Sequence, residues 1–255
     1  MTVDLFSVES KVVCISGSSR GLGKAIARAF AERGAKVIIS GWDGAELAAT
    51  KREFDANGLL VESLVFDARV QADCARLVTA ALDSHGTLDV MICNAGTDII
   101  KPAEQYEEAE WDAILETNLR GYYFCARYAA RHMLQIGRGS IIMTSSIAGS
   151  VGIPGLAPYA SSKGGINQLV RTMAVEWAQR GVRVNAVAPG YIENIMAGVK
   201  FDQSDPYQQR VLTFTPMGRR GAVEEFIGAY LYLASNASSY VTGEVLYVDG
   251  GFHAA

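Results

Sequence analysis

The feature that most constrains the fold is a regular alternation of short apolar segments with longer amphipathic ones. Segments such as KVVCIS, AKVIIS and LDVMICNAG are apolar at successive positions, which is typical of strands buried on both faces. Between them, apolar residues recur at helical spacing, as in Leu22, Ile26, Ala29 and Phe30. Strands that are each followed by a helix form a parallel sheet covered on both sides. The sequence therefore predicts an α/β fold, with one doubly wound, Rossmann-like domain over residues 1–255 and a mostly parallel seven-stranded sheet.

Two long segments between the predicted strands are informative. One continuous helix is predicted over residues 108–134, EAEWDAILETNLRGYYFCARYAARHML. The longest segment without clear periodicity runs from Tyr191 to Pro216. Long irregular segments in compact domains are usually lids or binding loops, so residues 191–216 are predicted to form a substrate loop.

Composition and charge argue against several classes of protein. The 255 residues carry a net charge of −4 with scattered lysines and arginines, so no nucleic-acid partner is predicted. No apolar run approaches the ~20 residues of a membrane span. The N-terminus MTVDLFSVES does not resemble a signal peptide, and a cytoplasmic location is predicted. The four cysteines and three histidines lack ligand-like spacing, so no metal site is expected; Cys14 and Cys93 lie in apolar runs and are expected to be buried and unreactive.

A glycine-rich turn, SGSSRGLG, links the first predicted strand to the first helix. It carries Gly17, Gly21 and Gly23 in a Gly-x-x-x-Gly-x-Gly spacing. Glycines let a backbone approach a pyrophosphate, and the helix N-terminus faces the anion with free amide groups. Because the turn lies in the first βαβ unit, it predicts a dinucleotide site.

The end of the second predicted strand bears on the choice of cofactor. A carboxylate there would bind the ribose hydroxyls of NAD, but Ser40, Gly41 and Trp42 occupy this tip and Asp43 follows slightly late. Arg20 lies in the glycine turn, where it could contact the extra phosphate of NADP. The sequence therefore favours NADP(H) over NAD(H). The alternative is that Arg20 is a solvated loop charge and that Asp43 or the Trp42 backbone contacts the ribose.

The segment YASSK places a tyrosine and a lysine four residues apart. In a helix Tyr159 and Lys163 share one face, so the ammonium group would lie near the phenol. A neighbouring positive charge lowers the pKa of a tyrosine and suits it to proton transfer near neutral pH. The alternative is an aromatic residue on a helix face beside a solvated lysine.

An ordered set of motifs resembles the short-chain dehydrogenase/reductase family, in its compact form without an added substrate domain. The resemblance covers about Lys11 to Gly251 and rests on SGSSRGLG, CNAG, NLRG, SSIAG, YASSK and APG, in this order. Asn118 precedes Ser146 by 28 residues, and Ser146 precedes Tyr159 by 13, as in that family. Gluconate 5-dehydrogenase-like and other sugar or polyol members resemble the chain most.

The resemblance implies a catalytic tetrad of Asn118, Ser146, Tyr159 and Lys163. Tyr159 would protonate a carbonyl oxygen, or deprotonate an alcohol, as hydride moves from or to nicotinamide. Lys163 would lower the pKa of Tyr159 and hold the nicotinamide ribose, Ser146 would bind the substrate oxygen, and Asn118 would hold a water that relays protons.

Further positions of the family's pattern imply a cofactor site. Its predicted residues are Gly17, Ser19, Arg20, Gly21, Leu22, Gly23, Trp42, Asp67, Ala68, Asn94, Ala95, Gly96, Tyr159, Lys163, Pro189, Gly190 and Ile192. Asp67 would bind the adenine amino group, or alternatively cap a helix. The chain departs from the pattern at Cys93, where the family often has asparagine, at Asn194, where it often has threonine, and at Trp42, where NADP-using members often have arginine.

The predicted substrate pocket is mostly apolar. Its candidate lining residues are Asp98, Ile99, Ile100, Ala148, Ser150, Ile153, Tyr191, Ile195, Met196 and Phe201. A carboxylate substrate would call for a cation, and only Lys101 is nearby. The predicted substrate is a neutral, small or cyclic ketone or secondary alcohol, with a sugar or polyol as the alternative. A non-catalytic nucleotide-binding subunit is an alternative of another class, and an extended epimerase or dehydratase would need more chain. The resemblance also implies a homotetramer.

Overall fold

The computed structural model describes residues 4–193 and 206–255, with a parallel sheet at the centre. The strands are β1 (Val12–Ile15), β2 (Lys36–Gly41), β3 (Val61–Val65), β4 (Val90–Cys93), β5 (Gly139–Thr144), β6 (Val182–Pro189) and β7 (Val245–Val248). Their order is β3-β2-β1-β4-β5-β6-β7, and every pair of neighbours is parallel. The predicted doubly wound α/β fold is confirmed, and the order reverses between β1 and β4, where such sheets bind ligands.

Helices cover both faces of the sheet. They are α1 (Gly21–Ala31), α2 (Gly44–Ala56), α3 (Gln71–His85), α4 (Glu108–Leu115), α5 (Gly121–Ile136), α6 (Ala157–Trp177), α7 (Pro206–Phe214) and α8 (Glu224–Ala234). One core cluster joins the sheet to α3, α5 and α6, and a second joins it to α1, α2 and α8. Within the described ranges, no helix combines the length and apolarity needed to cross a membrane.

The predicted cysteine environments are confirmed. Cys14 and Cys93 are fully buried in the central strands β1 and β4. Burial raises the pKa of the Cys14 thiol far above its usual range, so this side chain remains a neutral, unreactive thiol.

The prediction of one continuous helix over residues 108–134 is wrong at residues 116–120. A π-helical turn at Glu116–Arg120 separates α4 from α5, and the N–H of Gly121 bonds to the carbonyl of Glu116. The apolar periodicity continues through such a turn, so sequence pattern does not detect it. Asn118 lies in this turn, and π-turns within helices are frequent at functional sites.

In the described part of the predicted irregular segment 191–216 lies one helix, α7. Its periodicity is weak and was missed because the helix is only 9 residues long. Asn194, Ile195, Met196 and Phe201 lie outside the described residues. The assignment of residues 191–216 as a substrate loop remains a prediction, as does the single domain over residues 1–255.

Candidate active site

The glycine-rich turn follows β1 and packs tightly against the end of β4. A Cβ on Gly17 would lie 2.5 Å from the Cα of Ala95, and one on Gly23 would lie 2.1 Å from the carbonyl oxygen of Gly17. Gly17 also has a φ of 66°, in the left-handed region that favours glycine. α1 begins at Gly21, directly after the turn, and presents its N-terminal amides there. This geometry fits a pyrophosphate cradle.

Hydrogen bonds join this turn to the CNAG segment. The Ser16 hydroxyl accepts the N–H of Asn94 at 2.9 Å and the N–H of Ala95 at 3.2 Å. The Asn94 side chain donates to the carbonyl of Gly17 at 2.8 Å. The predicted cofactor residues of two separate motifs are therefore neighbours in space.

The predicted NADP determinant Arg20 has a partner that the sequence analysis missed. Its guanidinium is 3.2 Å from a carboxylate oxygen of Glu46, and its side chain remains 62% exposed. The buried Ser19 hydroxyl donates to the other oxygen of the same carboxylate. Glu46 lies in the first turn of α2, three residues after Asp43. That spacing is typical of a capping box and could have drawn attention to Glu46.

The other polar residues at this edge have defined roles. Asp43 caps α2, because its carboxylate accepts the N–H groups of Ala45 at 2.8 Å and Glu46 at 3.0 Å. Trp42 is 72% exposed at the tip of β2. The Asp67 carboxylate is paired with Arg69, whose hydrogen bonds lower the pKa of Asp67. Asp67 is not the N-cap of α3, so the alternative that it caps this helix is not supported.

The remaining predicted cofactor residues lie at the same edge. Ala68 is buried against α5, and a Cβ on Gly121 would lie 2.7 Å from its carbonyl oxygen. Leu22 is buried under the turn, and Pro189, Gly190 and Ile192 follow the C-terminal end of β6. The CNAG residue Gly96 is exposed and lies next to Asn118.

Lys163 is buried between two rings and the end of β5. Its Nζ donates to the carbonyl of Thr144 at 2.8 Å and lies 5.1 and 5.3 Å from the ring centroids of Tyr122 and Tyr159. The alternative of a solvated lysine is not supported, since Lys163 is only 3% exposed. Burial lowers the pKa of Lys163 to about 7, against a smaller opposing effect of the Asp98 charge.

The expected lowering of the Tyr159 pKa by Lys163 is not observed. Burial raises the pKa of Tyr159 to about 12, a hydrogen bond with Ser146 lowers it, and the Asp98 charge raises it. Desolvation disfavours both the phenolate and the ammonium, so the two charges do not stabilise one another as the helix spacing suggested. Near neutral pH Tyr159 is therefore a protonated phenol.

Ser146 begins the short 3-10 helix Ile147–Gly149, directly after β5. Its hydroxyl accepts the N–H of Ala148 at 3.1 Å, and Ser146 is near enough to Tyr159 to lower the pKa of that phenol. Strand β5 and helix α6 thus bring together the two side chains that the resemblance pairs.

Asn118 is fully buried, and its side chain is used for structure. Its Nδ2 donates to the carbonyl of Thr97 at 2.8 Å and to the Ser162 hydroxyl at 3.4 Å, while Oδ1 accepts the Thr97 N–H at 2.9 Å. The amide therefore fixes the segment that follows β4. The role of Asn118 in holding a relay water remains a prediction.

The described residues of the predicted substrate pocket differ in burial, and their role in a pocket remains a prediction. Ala148 is buried, Asp98, Ile99, Ile153 and Tyr191 are half-buried, and Ile100 and Ser150 are exposed. Sequence reasoning missed three contributing residues: Thr144, Tyr122 and Ser162. Ser162 lies inside the YASSK motif, three residues after Tyr159, and this position was the one available signal. Thr144 binds Lys163 through its main-chain carbonyl, which no sequence pattern reports.

Comparisons with known proteins agree with this geometry. The family model that matches residues 17–253 is described as Enoyl-(Acyl carrier protein) reductase. A gluconate 5-dehydrogenase of Gluconobacter oxydans is 36% identical over 248 residues, which cover 97% of this chain and 96% of the relative. A sorbose reductase of Candida albicans is 38% identical over 257 residues, which cover 98% of this chain and 89% of the relative.

A solved structure shares the whole fold. The gluconate 5-dehydrogenase of Burkholderia cenocepacia, in complex with NADP and tartrate, has a TM-score of 0.91 and 34% identity, and the match covers 99% of this chain and 98% of that one. The chain belongs to the short-chain dehydrogenase/reductase family, and the predicted class, an oxidoreductase, is confirmed.

Proposed function

We propose that this protein reduces a neutral, small or cyclic ketone to a secondary alcohol, or oxidises the alcohol, with NADP(H). The observation that carries the proposal is the cluster of half-buried Ser146 and Tyr159 with buried Lys163, linked through Thr144 and Asn94 to the glycine-rich turn. A bound nicotinamide supplies or accepts the hydride. The phosphates and ribose of the cofactor would be held by Gly17, Gly21, Gly23, Asn94 and Ala95. The close backbone approaches at Gly17 and Gly23 fit a pyrophosphate.

The proton is assigned to Tyr159. Near neutral pH the phenol carries its proton, so it can donate a hydrogen bond, and then this proton, to a carbonyl oxygen. Ser146 lies near the same phenol and would bind the substrate oxygen as negative charge develops on it. Lys163, fixed to the Thr144 carbonyl, is placed to supply positive charge when Tyr159 gives up its proton.

Three features support NADP over NAD, and one opposes it. The tip of β2 lacks a carboxylate, Arg20 is beside it, and the gluconate 5-dehydrogenase of similar fold was crystallised with NADP. The opposing feature is Glu46, whose carboxylate partly neutralises Arg20. A partly exposed arginine–phosphate contact still contributes on the order of 1 kcal/mol.

A substitution at Tyr159 tests the catalytic assignment. NADPH oxidation is followed by absorbance with a panel of ketones, first for the wild type and then for Tyr159→Phe. The phenylalanine keeps the ring and removes the hydroxyl, so kcat should fall by at least about two orders of magnitude while the Kd for NADPH is unchanged. Near-normal turnover by the variant contradicts the role of Tyr159. No turnover of any carbonyl by the wild type would favour the alternative, a non-catalytic nucleotide-binding subunit.

A sugar or polyol is the second candidate substrate. Gluconate 5-dehydrogenase and sorbose reductase are the names of two relatives at 36% and 38% identity. L-sorbose, other ketoses and 5-ketogluconate therefore belong in the panel beside simple cyclic ketones.

We also propose a homotetramer in the cytoplasm. A groove of about 790 Å³ on the outer face of α4, α5 and α6 is lined by Leu115, Leu119, Tyr123, Phe124 and Leu169, among others. It lies away from the catalytic group, and its apolar lining supports pairing of these helices with a second copy. The C-terminal tail packs on its own chain, with His253 stacked 3.8 Å from the Tyr247 ring centroid.

Sedimentation tests the assembly. The wild type is expected to sediment with four times the 27.4 kDa chain mass at micromolar concentration. Val175 on α6 is 83% exposed, so Val175→Lys should weaken assembly without disturbing the monomer. Leu60→Lys, at an 85% exposed position beside the edge strand β3, is the matched control. A monomeric wild type contradicts the proposal.

A further inference from the structure

Asp98 lies on a segment that is fixed at both ends against the catalytic group. At one end, Asn118 bonds both backbone groups of Thr97. At the other, the N–H of Lys101 bonds to the carbonyl of Gly155 at 3.1 Å, in the loop that follows Ser146. The Tyr106 hydroxyl bonds to the carbonyls of Ile99 and Gly155 and closes the same junction. The position of Asp98 is therefore determined by the fold.

Asp98 follows Thr97, which Asn118 holds, and its charge acts on the catalytic group. It is half-buried and interacts electrostatically with both Lys163 and Tyr159. Among residues 4–193 and 206–255 it forms no ion pair. Burial raises the pKa of Asp98, and the positive charge of Lys163 lowers it. A carboxyl group in this setting accepts a hydrogen bond from any donor that a substrate brings.

Within the described residues, two cations near this segment, Lys101 and Arg220, have other partners. Lys101, the nearest in sequence, is paired with Glu110 and lies 5.4 Å from the ring centroid of Tyr106. Arg220 lies 5.4 Å from the ring centroid of Tyr191 and donates to the carbonyl of Ile192. In the described part of the chain, the negative charge of Asp98 acts on both Tyr159 and Lys163.

We infer that Asp98 determines substrate specificity: its carboxylate accepts a hydrogen bond from a hydroxyl group of a neutral substrate and rejects substrates that carry a carboxylate. The inference rests on the proposed function and narrows its substrate to neutral hydroxylated carbonyl compounds and the corresponding alcohols. It separates this chain from the activity that the name gluconate 5-dehydrogenase describes in its relatives. Like charges brought together out of water repel, which is sufficient for discrimination of tenfold or more.

The test compares pairs of similar substrates of which one member is neutral and the other carries a carboxylate. L-sorbose and 5-ketogluconate share one skeleton, and a CH2OH group of the first is a carboxylate in the second. Ethyl acetoacetate and acetoacetate provide a second such pair outside the sugars. The kcat/KM of each is measured with NADPH for the wild type, for Asp98→Asn, which removes the charge, and for Asp98→Glu, which retains it.

The wild type should prefer the neutral member of a pair by at least about tenfold. Asp98→Asn should reduce that preference by about tenfold, chiefly by raising kcat/KM for the anion, and Asp98→Glu should keep it. A general structural defect would lower kcat/KM for both members of a pair and leave the ratio of the two values unchanged. Asp98→Ser serves in the same comparison if Asp98→Asn does not fold.

Two results overturn the inference. One is a wild type that uses the anion as well as the neutral compound, and the other is a ratio that Asp98→Asn and Asp98→Ser leave unchanged. In both cases turnover that depends on Tyr159 would leave the proposed function intact. Absence of turnover with every carbonyl compound would instead refute the proposed function itself.

Discussion

The side chain of Asn118 forms hydrogen bonds with both the N–H and the C=O of Thr97, at 2.9 and 2.8 Å. It does so from a π-helical turn in the middle of a long helical region, between α4 and α5. The pair joins the end of β4 to the helices that carry Tyr122 and to Ser162 beside Tyr159. The Asn118 side chain therefore fixes the segment that follows β4 relative to the helix that carries Tyr159.

Replacement of Asn118 should affect stability and turnover together. Asn118→Ala removes two hydrogen bonds to the main chain of Thr97, at a cost of about 1–3 kcal/mol in the free energy of unfolding. Urea unfolding and kcat/KM measure the two effects. Thr97→Ala is the matched control, since Asn118 contacts only the backbone of Thr97, and it should change stability much less. Equal effects of the two substitutions would contradict this account.

Lys163 should make stability depend on pH. Its pKa is about 7 in the folded protein and 10.5 in the unfolded chain, so between these values the unfolded state binds more protons. Stability contributed at this site therefore rises as pH increases from 7 towards 10.5 and is lowest below 7. The free energy of unfolding of the wild type, measured relative to Lys163→Met, should increase over this window. A difference that is independent of pH would show that Lys163 is charged in the folded protein.

Arg20 and Glu46 should affect the choice of cofactor in opposite directions. Arg20→Ala should weaken the binding of NADPH by roughly tenfold and that of NADH far less, because only NADPH carries the additional phosphate. Glu46→Gln removes a negative charge beside Arg20 and should strengthen the binding of NADPH by a few-fold. Fluorescence titration of each cofactor measures both. If neither variant alters the ratio of the two Kd values, Arg20 does not bind the phosphate.

Gly41→Asp is a less suitable test of the same question. A Cβ at this position would lie 2.8 Å from the Ser19 hydroxyl oxygen, so the substitution would also disturb the turn. Glu46 faces solvent in part and can be changed without this clash.

The glycine-rich turn should not tolerate a methyl group at its most crowded position. Gly23→Ala places a Cβ 2.1 Å from the Gly17 carbonyl oxygen and 2.5 Å from the Asn94 side chain, so it should lower the unfolding temperature and weaken NADPH. Gly44→Ala, at the start of α2, is the control: its Cβ would make only an ordinary contact with Val65 at 3.5 Å. Thermal unfolding without cofactor compares the two. Equal unfolding temperatures would contradict the packing argument.

The sequence by itself determined the fold and most of the candidate site. Apolar runs alternating with helical periodicity are enough to specify a parallel sheet, because each strand must be buried on both faces. Each motif that carries one of the four predicted catalytic residues is only weakly specific by itself. The order and spacing of these motifs joined the four residues into one predicted site. The glycines of the turn were identifiable because close backbone approach requires residues without a Cβ.

Only the tertiary structure decided the electrostatics of that site. Helix spacing alone suggests that Lys163 lowers the pKa of Tyr159, but spacing does not report burial, and desolvation of both groups reverses the expected direction. Likewise, Glu46, Asp98 and Thr144 are distant in sequence from the residues they influence. Their effects depend on distances across the sheet edge, which no local pattern encodes.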